Sequence, residues 1–451
     1  MKHLVFFLVL FSACSSPSER QSFDLLITNV QIVDVKDNKI MTSQWVGITG
    51  DEIISTGEMS SINVVHSETV LNGEGQFLMP GLWDNHVHFR GGDSLIMENK
   101  QLLQHFISHG ITTVRDAGGD ITPAVKDWQE QIAKGSLEGP NIFTSGPKLD
   151  GSRPAWAGSI QVTDSISVNR ALDSLSSLGV DYVKVYDGSL TAETFYEIIQ
   201  QAEQRNLKVT GHMPLSAKLM DAITLGLDGT EHMYYLLKAC SNKEDSLTSL
   251  GLGYGMMGEL LATYDEGLAS EVFSRLSKKQ VFVTPTLYIG KVLSGLAWDD
   301  HSGDSLLQYM GAGIQKTYQG RINSAKRNAS SLSQNRSALG DQFRAMILPM
   351  HQAGVPILAG SDCGPYNSFV YPGNSLIEEL NELVNARMSI TEALKASMVL
   401  GPAFLGLSEN YGSVTAGKKA DLILLKKNPL ESIDHLYSLQ KVIKAGEIIE
   451  R

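Results

Sequence analysis

The stretch W-D-N-H-V-H-F-R (residues 83–90) decides how this chain is read. Side chains on a β-strand repeat every two residues, so His86 and His88 face the same way. Two imidazoles on one face make half of a coordination sphere for zinc or a similar divalent ion. An H-x-H pair alone is a weak signal. Four later stretches strengthen it: D-Y-V-K-V-Y (181–186), L-K-V-T-G-H (207–212), D-G-T-E-H (228–232) and V-P-I-L-A-G-S-D (355–362). They place Lys184, His212, His232 and Asp362 where strands end. Helical periodicity fills the gaps, the alternation that builds a parallel barrel whose strand ends converge on one mouth. The expected fold class is α/β, a (β/α)8 TIM barrel, in which these six residues meet as metal ligands.

Working outward, strands are expected near Leu82–His86, Thr112–Asp116, Asn141–Ser145, Tyr182–Tyr186, Lys208–His212, Gly229–His232, Val281–Thr286 and Val355–Ser361. Helical patterns occupy Leu102–His109, Ala192–Arg205, Ser216–Leu225, Ser375–Arg387 and Ile390–Val399, the last with Thr391 as its N-cap. The connections Gly146–Asp181, Met233–Gln280 and Leu287–Gly354 are longer than a barrel needs and are expected to shape a pocket.

The ends have a different texture. Leu25–Val30, Gln44–Thr49 and Glu52–Ser55 are short β-rich runs, and Ala420–Leu425 and Val442–Ile449 repeat them beyond the barrel, with a turn at Asn428–Pro429. Neither end can bury a core alone. Residues 23–79 and 402–451 are therefore expected to form one small β-sandwich, with the barrel (80–401) inserted between them.

Residues 1–22 stand apart. Lys2 and His3 precede an apolar run, Leu4–Phe11, too short to span a bilayer, and small residues lead to Cys14. This is the layout of a secretory signal, and F-S-A-C resembles a bacterial lipobox, which implies cleavage before Cys14 and lipidation of it. An ordinary cleaved signal is the other reading. The expectation is an exported protein anchored by lipid to a bacterial membrane, on its periplasmic or outer-membrane face, with Ser15–Ser22 as a tether. Three cysteines are too few for a disulfide framework, so Cys240 and Cys363 read as free and buried. A formal charge of −12 without a basic stripe argues against a nucleic-acid partner.

Lys184 is the unusual ligand. Its ammonium would repel cations, but burial and a nearby metal lower the pKa, and the neutral amine can take up carbon dioxide. The resulting carbamate is anionic and has two oxygens, enough to bridge two metals. A buried or substrate-binding lysine is the alternative. Asp362, after the small residues of I-L-A-G-S, fits a ligand that also takes a proton from the attacking water.

With these residues in place, the chain resembles the amidohydrolase superfamily over nearly all of its length after residue 23. P-G-L-W-D-N-H-V-H, G-I-T-T-V-R-D-A-G (110–118), T-P-T-L-Y (284–288), A-G-V-P-I-L-A-G-S-D and G-S-V-T-A-G-K-K-A-D-L-I-L-L (412–425) are similar to its motifs. The imidazolonepropionase-like and Zn-dependent dipeptidase branch (prolidase, arginine carboxypeptidase) is the most similar. The retained lysine in V-K-V-Y favours the two-metal members. The resemblance implies two divalent ions, zinc by preference, held by His86, His88, Lys184, His212, His232 and Asp362. It also implies a bridging hydroxide that attacks the carbonyl of a small amide, dipeptide or N-acyl amino acid, with Asp362 as proton shuttle beside His232. Arg90, Tyr186, Tyr234 and Tyr288 are candidates for substrate contact, Arg90 for a substrate carboxylate. Arg115 is expected to pair with Asp116 or a neighbouring carboxylate. The alternatives are hydrolysis of a cyclic amide, lactone or phosphoester on the same site, and a non-catalytic scaffold. The oligomeric state is left open.

Overall fold

The β-prone apolar residues of Q-S-F-D-L-L-I-T-N-V-Q-I-V-D, with Leu25–Ile27 and Ile32–Val33 buried in succession, make one long strand, β1 (Gln21–Asp34). The computed structural model describes residues 21–327 and 329–450, with only the backbone described at 329–335. Cys14 and the expected signal segment lie outside the described residues. Gln21 and Ser22, expected to belong to the tether, instead pair with Val65 and His66 at the start of β1.

After β1 come β2 (Lys39–Thr49), β3 (Glu52–Glu58), β4 (Val65–Asn72) and β5 (Phe77–Pro80). The middle of the chain supplies β6 (Leu82–Val87), β7 (Ile111–Asp116), β8 (Asn141–Thr144), β9 (Leu149–Asp150), β10 (Ile160–Gln161), β11 (Val183–Val185), β12 (Val209–Gly211), β13 (Gly229–Glu231) and β14 (Phe282–Thr284). The tail adds β15 (Leu422–Leu425), β16 (Leu439–Lys444) and β17 (Glu447–Ile449).

Both chain ends enter one eight-stranded sheet, in the order β17-β16-β15-β5-β1-β2-β3, with β4 paired to β1. The join is antiparallel, with Ile423 opposite Met79 and Leu424 opposite Leu78. Ile27, Val46, Leu78, Leu422 and Ile443 share one buried apolar cluster. Each such side chain contributes on the order of 1.5–3 kcal/mol by leaving water. The run Val442–Ile449, read as one strand, is two strands folded back antiparallel. Ala445 and Gly446 turn between them at φ 50° and 81°.

The middle strands are parallel, in the sheets β6-β7-β8, β10-β9-β11-β12 and β13-β14. Single backbone hydrogen bonds link them: Asp181 N–H to Thr144 O at 2.9 Å and Asp228 N–H to Val209 O at 3.3 Å. The expected strand Val355–Ser361 does not form as such. It touches its neighbours through two isolated parallel bridges, Val283 with Ile357 and Val87 with Cys363. The reason lies in where its peptide groups go. Pro356 has no N–H to give, and Ala359 N–H turns to Ala396 O at 3.0 Å.

Helices cover the outside, including Ile96–Ser108, Ala192–Glu203, Asn374–Asn385 and Ile390–Met398. The cap of the last is not Thr391. Ser389 accepts Glu392 N–H at 3.2 Å, while the Thr391 hydroxyl donates to Asn38 Oδ1 at 2.6 Å. Among the described residues no helix is long and apolar enough to cross a membrane. Cys240 and Cys363 are free and buried.

Candidate metal centre

Four histidines reach one point, three of them with the outer nitrogen hydrogen-bonded and the fourth with it facing a carboxylate. His86 Nδ1 lies 2.6 Å from Glu231 Oε2 and His88 Nδ1 lies 3.1 Å from Gly118 O. His232 Nδ1 lies 2.6 Å from the Thr286 hydroxyl, and His212 Nδ1 stands 3.4 Å from Asp187 Oδ1, at ion-pair rather than hydrogen-bond range. With Nδ1 engaged, the lone pairs of the Nε2 atoms point inward. His86 Nε2 and His88 Nε2 are 3.3 Å apart, and His212 Nε2 and His232 Nε2 are 2.8 Å apart. Asp362 Oδ1 stands 3.3 Å from His88 Nε2 and 3.6 Å from His86 Nε2, and Oδ2 stands 3.8 Å from His232 Nε2.

Lone pairs facing one another at these distances repel unless a cation lies between them. Ligands on a tetrahedral zinc at 2.0–2.1 Å stand roughly 3.3–3.4 Å from one another, so the His86–His88–Asp362 triangle fits such an ion. Among the described residues, His86, His232 and Asp362 also hold ligand atoms within 4.8 Å of one another. The donor set fits a divalent metal.

The backbone pays for this convergence in strain. His232, Thr286 and Asp362 sit at φ 66°, 51° and 57°, a region that side chains with a Cβ rarely adopt. Two glycines make room. A Cβ on Gly360 would stand 2.7 Å from His86 Cβ, and one on Gly211 would stand 2.3 Å from Val185 O and 3.1 Å from Lys184 Cδ.

Lys184 lies in β11, fully buried, with no hydrogen-bond partner on Nζ among the described residues. Burial pushes its amine down to about 8, within reach of the neutral form. Burial opposes ionisation of Asp362, yet the neighbouring imidazoles, His86 foremost, hold it well below the usual carboxylate range. Burial lowers His86, and lowers His88 and His232 further, so all three favour the neutral form that binds metal.

A cavity of about 300 Å³ opens above this cluster. All three long connections contribute to its wall, through Trp156, Tyr234 and Arg321 among others. Arg90, Tyr186 and Tyr234 line it; Tyr288 does not. Tyr186 stacks on His212 with ring centroids 4.4 Å apart. The peptide N–H of Tyr288 is held by Glu379 Oε2 at 2.7 Å. Arg115 pairs with Glu231 at 2.8 Å, whereas Asp116 accepts Phe89 N–H and the Thr144 hydroxyl.

Several residues here escaped the sequence reading. Glu231 stood in D-G-T-E-H, where a buried acid beside a histidine was an available signal. Asp187 and Asn367 had no local mark, and Thr286 stood in T-P-T-L-Y with no sign of which side chain it holds. Lys148, 2% exposed and with its Nζ over the rings of Trp156 and Tyr186 but without a hydrogen bond among the described residues, is a second buried lysine near the site. Burial, with Arg90 and Lys184 adding repulsion, pushes its amine well down.

The chain is 24% identical to ochratoxinase from Aspergillus niger over 418 residues, covering 79% of this chain and 71% of that protein. A bottromycin amidohydrolase matches in structure with a TM-score of 0.75 at 19% identity, covering 97% of this chain and 88% of that one. A Xaa-Pro dipeptidase with bound methionine matches with a TM-score of 0.70 at 19% identity, covering 95% and 100%. These structural likenesses bear on the fold, which is of the TIM-barrel type. The amidohydrolase family model matches residues 77–449, and the chain therefore belongs to the amidohydrolase family, as a hydrolase.

Proposed function

We propose that this protein hydrolyses the C–N bond of a small amide, namely a dipeptide or an N-acyl amino acid, at a site holding two divalent ions, zinc by preference. The observation that carries the reading is the inward convergence of four histidine Nε2 atoms and Asp362, with His88, His212, His232 and Asp362 lining the cavity and His86 buried behind them. His86, His88 and Asp362 would hold one ion, His212 and His232 the other, and Lys184 as a carbamate would bridge them. When bound, the ions supply Lewis acidity at the substrate carbonyl and lower the pKa of the attacking water.

The chain's own residues do the rest. Asp362 takes a proton from the attacking water and returns it to the leaving amine. Its Oδ1 is fixed for this by Asn367 Nδ2 at 2.7 Å. His232, held by Thr286, keeps its Nε2 turned toward Asp362 Oδ2. Tyr234 lines the cavity and would donate a hydrogen bond to the developing oxyanion. Arg90, buried under Trp156 at 4.1 Å, presents a guanidinium to the substrate.

The proposal extends to architecture and location. The parallel strands with 355–363 close as a (β/α)8 barrel (80–401), residues 23–79 and 402–451 form a composite β domain, and Cys14 carries a lipid anchor to a bacterial membrane. The decisive experiment combines metal analysis with a library of dipeptides and N-acyl amino acids scored by amine release. Two ions per chain and release from at least one class are expected. A protein that binds two ions and cleaves only lactones or phosphoesters would redirect the assignment.

A further inference from the structure

Two guanidinium groups meet beside the catalytic carboxylate with no anion between them. Arg90 Nη2 and Arg321 Nη1 both donate to one neutral oxygen, Asn367 Oδ1, at 3.0 and 2.8 Å. Arg90 follows the metal histidines, whereas Arg321 arrives on the helix Ala312–Arg327 from the long third connection. Their other hydrogen bonds go to backbone carbonyls, Arg90 Nε to Pro365 O at 2.9 Å and Arg321 Nη1 to Tyr366 O at 2.7 Å. A guanidinium carries five N–H groups, so each retains donors that have no partner among the described residues. Both line the cavity.

Two cations that close repel, and burial deepens the cost. Of the carboxylates on the cavity wall, Asp362 relieves it only in part: its charge acts on both guanidiniums, but it makes no hydrogen bond to either among the described residues. Asp341 is held by Arg344 at 3.0 Å, and Asp362 faces the histidines. Were the pair needed only to fix the loop at 365–367, neutral donors would serve without the repulsion. The opposite side of Asn367 donates to Asp362, so one side chain ties the pair to the proton-transfer group. An anion bound between the guanidiniums would therefore be set at a fixed offset from Asp362.

We propose that Arg321 and Arg90 together clamp a free carboxylate of the substrate. Resting on the amide-hydrolase reading above, this restricts the substrate class to amides whose amine-side residue keeps its carboxylate. Hydrolysis then adds water across the C–N bond and leaves a carboxylic acid and a free α-amino acid, the latter still held by the clamp. Arg321 is a specificity residue that comes from outside the strands bearing the metal ligands.

The test uses the full-length, metal-loaded protein and a pair of non-hydrolysable probes. These are a dipeptide in which CH2–NH replaces the scissile amide, with a free C-terminal carboxylate, and the same molecule as its carboxamide. Calorimetry gives Kd for each. Wild type should prefer the acid by about 10- to 100-fold, the range expected for a charge-assisted pair of contacts. In Arg321→Met this ratio should fall toward one, and Arg321→Lys should keep part of it. Equal affinity for acid and carboxamide in wild type overturns the clamp, as does an unchanged ratio in a folded Arg321→Met. Acid-selective binding without hydrolysis of any amide would leave the clamp standing and reject the reaction. Amide hydrolysis indifferent to the carboxylate would do the reverse.

Discussion

Glu231 Oε2 lies 2.6 Å from His86 Nδ1, while the other oxygen of the same carboxylate binds Arg115 at 2.8 Å and the Thr210 hydroxyl at 2.9 Å. Burial works against the charge, but Arg115 first and His86 next hold Glu231 well below the usual range, so it is an anion at the base of the site. It fixes the tautomer and direction of His86, the first of the proposed metal ligands. Glu231→Gln should lower metal affinity by about 10- to 100-fold, read by competition with a chelator. Unchanged metal retention would remove the orienting role from Glu231. Glu231→Ala should also destabilise the fold by about 3–5 kcal/mol, because Arg115 is left buried and unpaired.

Lys184→Ala should lose at least one metal and nearly all activity, and a short carboxylic acid should restore part of both by refilling the vacated space. The carbamate itself is checked on the wild-type protein, by crystallographic density or by carbon-13 labelling with bicarbonate. A single tightly held ion beside an unmodified Lys184 would reject the bridging role.

Glu379 ties pH to the frame around His232. Its two oxygens accept the peptide N–H groups of Leu287 and Tyr288 at 3.0 and 2.7 Å, next to Thr286, which holds His232. Burial pushes its carboxyl up to about 8, against about 4.3 in an unfolded chain. Between those values the folded protein keeps a proton that the unfolded chain has released. The contribution of Glu379 is thus fully present below the unfolded pKa and is lost as pH rises through the folded one. The slope is at most about 1.4 kcal/mol per pH unit for one group. Thermal melts from pH 5 to 8 should show a shallower decline for Glu379→Gln than for wild type. Parallel curves would mean that Glu379 does not titrate in this window.

The anchor is tested in cells of the native host. Wild type should partition with membranes and Cys14→Ser should not. A variant still in the membrane fraction would sink the lipid-anchor proposal, whatever the fate of the enzymatic one.

The convergence of the proposed ligands was legible because most of them lie at or near a strand end. His86 and His88 fall at and just beyond the end of β6, Lys184 within β11, and His212 and His232 directly after β12 and β13. Period-two alternation and apolar runs report such positions locally. What holds the ligands is not local. Thr286 serves His232 across 54 residues, and Arg321 meets Asn367 across 46, so neither has a sequence signal until the fold brings the pairs together. Val355–Ser361 looked like a strand because its residues are apolar and small. Only the structure shows Ala359 N–H leaving the ladder for Ala396.

Because β5 finds its partner in β15, a ribosome must deliver nearly the whole chain before Met79 can meet Ile423. The strands from β6 to β14 are all available earlier in synthesis. Throughout that interval β5 offers an unpaired apolar edge, the kind of surface on which chains join one another instead of themselves. Translation products that stop short of Leu422 are therefore the ones expected to aggregate, and the final thirty or so residues act as the latch that retires that edge.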